Sequence, residues 1–409
     1  MNELAMDPED FALRARVKLL GKLLGQVIAR HARPGVFEVV EELRTGFIAL
    51  RNGARDGLEG LDRMIRALDA ETLMQVVRAF TIYFQLVNIA DELYQHRARR
   101  QQVAQGGRLW VGSFDDALAS AVESGLDATA MSELLGRMRY NPVFTAHPTE
   151  AKSRTVMEAL RRIFVLNERL EDGESSEIVE AIGREIQTLW KTEELRGQRP
   201  TAEDEIRNTL HYFNQSIIQA VPVLCRNLER ALGRSYEQRI RFPAFLRFGS
   251  WVGGDRDGNP FVTVNTSWYA LRMQIREVLT YYLRQTDVLA DELSHSRRWC
   301  APTPAFEASL AEDEAEYLNR TGALPERFAQ EPYRRKLYLM RERLTAMVEQ
   351  VQVELENRAQ RSRRASGGYA SVADFIDDLR LIHQSLCSHG DYNIANRRLK
   401  DLIFAAEAF

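Results

Sequence analysis

Cysteine is scarce. The 409 residues hold three, at positions 225, 300 and 387, and no CxxC pair. An odd, dispersed set excludes a disulfide framework and a cysteine zinc site; reduced, buried thiols are expected. Neither sign of charge is in excess: 55 Lys plus Arg stand against 58 Asp plus Glu, a net charge of -3. That balance argues against a nucleic-acid scaffold but leaves room for a local basic pocket that binds a small anion. No run of 18 apolar residues occurs, so no membrane-spanning helix is expected. The opening stretch, MNELAMDPEDFALR, lacks the basic and apolar regions of a secretory signal. The expectation is a cytoplasmic chain that binds neither nucleic acid nor membrane. Apolar residues make up 45%, enough for a sizeable core, and the length suits two or three domains.

What is abundant is helical periodicity. Leu13, Val17, Leu20, Leu24 and Val27 recur at helical spacing over 11–31. Similar patterns predict helices at 37–51, 57–69, 71–99, 114–123, 127–138, 148–170, 176–195 and 204–237. More follow at 265–297, 306–318, 325–359, 371–388 and 394–408. The most apolar, 72–99, with Phe80, Tyr83, Phe84, Leu86, Val87 and Ile89, reads as a central buried helix. Thr201 before Glu203-Asp204-Glu205 reads as an N-cap. RSRRASGGYAS, 361–371, reads as an exposed loop tip, with an anion or phosphorylation site around Arg363, Arg364 and Ser366 as the alternative. Only two short strands stand out, at 141–146 and 244–251. Two strands alone leave exposed edges, so further strands are expected within or outside this chain.

Each strand runs into an unusual loop. The first enters FTAHPTE, 144–150. Pro148 disfavours helical geometry at His147 and is at home in a first helical turn. His147 is therefore expected where a strand hands over to a helix, a place that favours oxyanions and a neutral imidazole usable as a base. A lone histidine more often caps or packs. Nearby Lys152, Arg154, Arg162, Thr145 and Thr149 bring the functional reading level with that one. The other histidines, His31, His96, His211, His295, His383 and His389, show no metal-ligand spacing and read as packing or surface.

The second loop lies within GSWVGGDRDGNPFVT, 249–263. Gly253 and Gly254 permit close backbone approach to a ligand or positive φ. Asp255 and Asp257 flank Arg256 and could hold its guanidinium as a fork for carboxylate or phosphate. Trp251 supplies a flat apolar wall. A calcium loop fits poorly: Asp255, Asp257 and Asn259 alternate, but the glycine comes two positions early and no glutamate stands at the twelfth. An anion-binding loop and a purely structural turn both remain open.

Together, FTAHPTEAKSRTV and GSWVGGDRDGNPFVT resemble the two N-terminal signatures of phosphoenolpyruvate carboxylase. LLGKLLGQVI, NIADELYQHR, LWKTEELRGQRPTAEDE, DVLADELS, EPYRRKL and HGDYNIANRRLKDLI are similar to family segments in the same order. The resemblance covers essentially the whole chain. It implies a mainly α chain in which an incomplete β/α (TIM-like) barrel, with only the first strands present, is surrounded by many long helices. The regions implied are an N-terminal helical region (1–138), the first two barrel strands with their active-site loops (139–264) and a helical extension (265–409).

The activity implied is a carbon–carbon lyase that joins bicarbonate to phosphoenolpyruvate, giving oxaloacetate and phosphate, with Mg²⁺ or Mn²⁺. His147 matches the base of the carboxyphosphate step. Trp251 matches an apolar wall near the substrate methylene. Gly253, Gly254, Arg256 and Asp257 match the substrate-binding loop. No metal ligand is expected here, because the family's metal carboxylates belong to a C-terminal half that this chain does not match. The expected partners are that half and further copies in a homo-oligomer, a tetramer in the family. The alternative is a catalytically incompetent helical fragment serving as a binding or regulatory module.

Overall fold

The computed structural model describes residues 8–53, 57–145, 153–170, 175–193, 200–358 and 366–409. They are mainly helical. In chain order the elements are α1 (Pro8–His31), α2 (Val36–Arg51), α3 (Leu58–Ala67), α4 (Ala70–Gln105), α5 (Phe114–Glu123), α6 (Ala128–Arg137), β1 (Val143–Phe144), α7 (Arg154–Arg169), α8 (Ser176–Lys191) and α9 (Ala202–Tyr212). After a π-helical turn, Phe213–Ile217, come α10 (Ile218–Ser235), β2 (Gly249–Ser250), α11 (Val264–Glu292), α12 (Pro304–Thr321), α13 (Pro332–Glu356) and α14 (Val372–Ser388). The short α15 (Tyr392–Ile394), a second π-helical turn and α16 (Lys400–Ala408) complete the order.

Several helices begin where polar side chains satisfy otherwise unpaired N–H groups. Asp69 caps α4 and Ser113 caps α5. Thr201 forms a capping box with Asp204, as the sequence predicts. Thr263 caps α11 and Ser371 caps α14, each in a capping box.

Two compact units form. The first holds α1–α4 with α7 and α8. Its core joins Leu20, Leu24 and Ile28 of α1 to Ile82, Leu86 and Ile89 of α4, with Ile163 of α7 and Ile186 of α8. By length and apolar content α4 would suffice to cross a bilayer, which the search for an unbroken apolar run does not anticipate. One side of it packs in this core. Phe84, expected inside, is 60% exposed on the other side.

The second unit holds α5, α6, both strands and everything from α9 onward. α11, α12, α13, α14 and α16 surround a core that includes Tyr282, Phe306, Tyr333, Met340 and Phe375. A second cluster joins α5, α6 and α10 to Phe245 and Leu246. Several expected boundaries shift. α11 stops at Glu292 and α13 starts only at Pro332. The last predicted helix breaks at Asn396 and Arg397, whose dihedrals leave the helical region. The loop tip at 366–371 is less exposed than expected, because Tyr369 is buried with its hydroxyl donating to Asp378. Arg363 and Arg364 lie outside the described residues. Of the cysteines, all free, Cys225 is buried while Cys300 and Cys387 are half-buried.

Candidate active-site loops

Four backbone hydrogen bonds organise the chain around both motifs. Tyr140 N–H donates to Phe245 C=O (2.7 Å) and Arg247 N–H to Tyr140 C=O (3.1 Å). Gly249 N–H donates to Pro142 C=O (2.9 Å) and Trp251 N–H to Phe144 C=O (2.8 Å). The ladder is parallel, with Val143 opposite Gly249 and Phe144 opposite Ser250. Parallel neighbours end on the same side of a sheet. The segment after Phe144, which leads to His147, and the loop after Ser250 therefore depart from one edge.

His147 itself lies outside the described residues, as do 146–152 as a whole. The helix predicted from Pro148 is described only from Arg154, where Ser153, with extended dihedrals, caps it by accepting from Val156 N–H. A helix dipole acts mainly over its first turn. Whether a helix start favours a neutral His147 imidazole concerns residues outside the described ones.

The second loop is described in full. Trp251 C=O accepts from the N–H groups of both Gly254 and Asp255, at 2.9 Å each. Gly253 makes this turn with φ of 79°, and a Cβ there would lie 2.8 Å from both Ala270 Cβ and Ile206 Cδ1. The glycine is thus required by the packing of α9 and α11 against the loop. Gly254 has no such constraint: its nearest contact for an added Cβ is Trp251 O at 3.6 Å.

Asp255 Oδ1 accepts from Asp257 N–H (3.1 Å), and Asn259 Oδ1 from Phe261 N–H (3.1 Å). These local turns hold the loop open. Arg256 donates to Ser267 Oγ at 3.3 Å, and among the described residues no ion pair joins it to either aspartate. The predicted carboxylate-held fork does not form; an α11 hydroxyl orients the guanidinium instead. Trp251, Arg256 and Asp257 are all exposed.

No group of three or more histidine, cysteine, aspartate or glutamate side chains capable of holding a metal occurs among the described residues. The carboxylate nearest the loop turn, Asp255, already accepts from a backbone amide. These residues do not fit a divalent cation.

Beside β2 lies an apolar cavity of about 320 Å³. Phe248, Gly249, Ser250 and Val252 form one wall, with Phe213 and Phe409 among those facing them. Phe248 and Phe409 stack at 5.0 Å between ring centroids, and Phe144 meets Phe213 at 4.8 Å. Trp251, Arg256 and Asp257 are not part of this wall. Sequence reading missed the aromatic group, since its members are separated by up to 265 positions and carry no local signal.

A sequence model of phosphoenolpyruvate carboxylase matches residues 13–409. The chain belongs to the phosphoenolpyruvate carboxylase family. It is 35% identical to a phosphoenolpyruvate carboxylase of Roseiflexus castenholzii over 98% of this chain and 44% of that protein. Proteins of the same description from Ralstonia nicotianae and Nitrosomonas europaea are each 32% identical over 98% of this chain, covering 41% and 43% of their lengths. The chain thus spans well under half the length of these carboxylase relatives.

Proposed function

We propose that this chain carries the first part of a phosphoenolpyruvate carboxylase active site, and that it acts with the remaining family sequence to carboxylate phosphoenolpyruvate. In this reading β1 and β2 are the first two strands of a β/α barrel, within the segment 139–264. One observation carries it: the two strands are hydrogen-bonded parallel neighbours, so both signature loops start from the same sheet edge. By register Thr145 stands opposite Trp251, and two peptide links limit the Cα of His147 to about 7–8 Å from that of Thr145. A base on the first loop and an arginine on the second can then serve one substrate.

The chemistry follows the family resemblance. A bicarbonate oxygen attacks phosphorus and the bond from phosphorus to the enol oxygen breaks. The electron pair stays on the enolate of pyruvate. Carboxyphosphate then loses CO₂, with His147 as base, and the enolate carbon captures it to give oxaloacetate. Arg256, exposed and, among the described residues, tethered only to Ser267, is available to meet a phosphate or carboxylate oxygen. Trp251 screens the methylene side. Mg²⁺ or Mn²⁺, held outside the described residues, would supply charge neutralisation at the phosphoryl group. Cytoplasmic location and assembly into a homo-oligomer belong to the same proposal.

The test is oxaloacetate formation from phosphoenolpyruvate, bicarbonate and Mg²⁺, with and without a supplied C-terminal family segment. Turnover is expected only in the combined protein. There His147→Ala should lower turnover by about 10²-fold or more, the usual scale for a lost general base. Unchanged turnover would remove His147 from the mechanism. A combined protein with no turnover would favour a binding or regulatory module instead.

A further inference from the structure

A groove of about 1180 Å³ lies between α10 and the kinked C-terminal helices. It shares no wall residue with the apolar cavity or the signature loops. Six cations line it, Arg226, Arg230, Arg239, Arg397, Arg398 and Lys400, against three carboxylates. The three carboxylates are already matched. Asp401 pairs with Arg226, Glu229 with Lys400 (2.5 Å) and Glu292 with Arg398 (2.7 Å). That leaves Arg230, Arg239 and Arg397, none of which forms an ion pair among the described residues. Arg230 makes only a long contact, 3.5 Å, to Asn227 Oδ1.

The backbone contributes to this placement. The helical path breaks at Asn396 and Arg397, where Arg397 has φ of -108° and ψ of -121°. Asn396 is held by its Oδ1 against His383 Nε2 at 3.1 Å. π-type interruptions of helices recur at functional sites. Beside the groove, burial lowers the proton affinity of His383, the Asn396 hydrogen bond opposes this, Lys400 and Arg239 lower it further, and Glu229 raises it. Arg239 and Lys400 also favour the thiolate of Cys387 against its burial.

We infer that this groove is a binding site for a small polyvalent phosphate compound, held by Arg230, Arg239 and Arg397. Three unmatched guanidiniums facing one concavity suit phosphate oxygens, which accept paired N–H donors. The chain's own carboxylates do not neutralise them, and solvent access lets a diffusing ligand enter. The inference does not depend on the carboxylation reading, because it invokes no residue of the signature loops.

The experiment is isothermal titration of the 409-residue chain with inorganic tripolyphosphate at low ionic strength, about 0.05 M, where screening is weak. One site per chain is expected. Arg239→Gln and Arg397→Gln should each weaken binding roughly tenfold, the effect of one lost charge-assisted contact. Arg397→Lys should retain part of the affinity, and Arg51→Gln, outside the groove, should leave it intact. All the substituted arginines are exposed, so their replacement is compatible with folding; circular dichroism checks that. No saturable binding, or variants that match the wild type, would overturn the assignment. Equal affinity for citrate would also overturn it, by showing a site for carboxylates rather than phosphates.

Discussion

Gly253 separates structural from chemical demand in the signature loop. With φ of 79° and 2.8 Å contacts waiting for a Cβ, Gly253→Ala should cost about 3 kcal/mol, combining left-handed backbone with overpacking. Gly258→Ala, with φ of 64° but open space, should cost only about 1 kcal/mol. Gly254→Ala should stay within about 0.5 kcal/mol. Urea midpoints of the three variants check the ranking, and a Gly253→Ala chain as stable as the parent would refute it. Turnover lost in Gly254→Ala of the combined protein, at unchanged stability, would mark close backbone approach to substrate. A second residue sets an alkaline limit. Burial, with Glu407 and Glu229 nearby, pushes the Cys225 thiol from 9.0 up to about 12. The fold therefore holds a proton that the unfolded chain releases. That stability is fully present below pH 9.0 and is lost as pH rises toward about 12. Cys225→Ala should flatten the fall of the urea midpoint across this window. An unchanged slope would show that other groups carry it.

Among elements, α12, α13 and α14 are tied by a buried charge network. Lys336 of α13 is fully buried, with Nζ 2.5 Å from Asp313 Oδ2, 2.6 Å from Asp378 Oδ1 and 2.8 Å from Ser309 Oγ. Arg343 reaches the other Asp313 oxygen at 2.8 Å. Burial raises the proton affinity of Asp313, with Lys336 opposing it. Lys336→Met would take the shared cation from buried Asp313 and half-buried Asp378, leaving them Arg343 alone, and should destabilise by about 3 kcal/mol. Adding Asp313→Leu should recover part of that loss, because the buried carboxylate goes with its cation while Asp378 keeps Arg343. Thermal unfolding of the single and double variants decides it; a double variant weaker than the single one would contradict the argument. Sequence reading placed these helices because their apolar period is local. It could not pair Lys336 with carboxylates 23 and 42 positions away. For the same reason the strands were found but not their partnership, since parallel pairing joins segments about a hundred residues apart.

For the whole molecule, the sheet is the weak point. Each strand has one partner among the described residues. A two-stranded sheet has little independent stability and offers its edges to association. Hydrogen exchange should therefore find the amides of Gly249 and Trp251 exchanging orders of magnitude faster than those of Leu279 to Leu289 in α11. Supplying the remaining family sequence should slow them. Equal protection in the isolated chain would show the pair to be stable as it stands. By itself the sequence determined the helical character, the Thr201 cap, the family and the two signature loops, because period, capping and motif are set by residues close in the chain. The tertiary structure alone decided that the loops leave one sheet edge, that Gly253 answers to packing, that Arg256 rests on Ser267 and that three arginines share a groove. Those facts depend on which distant segments meet, and that is settled by burial and pairing across the fold.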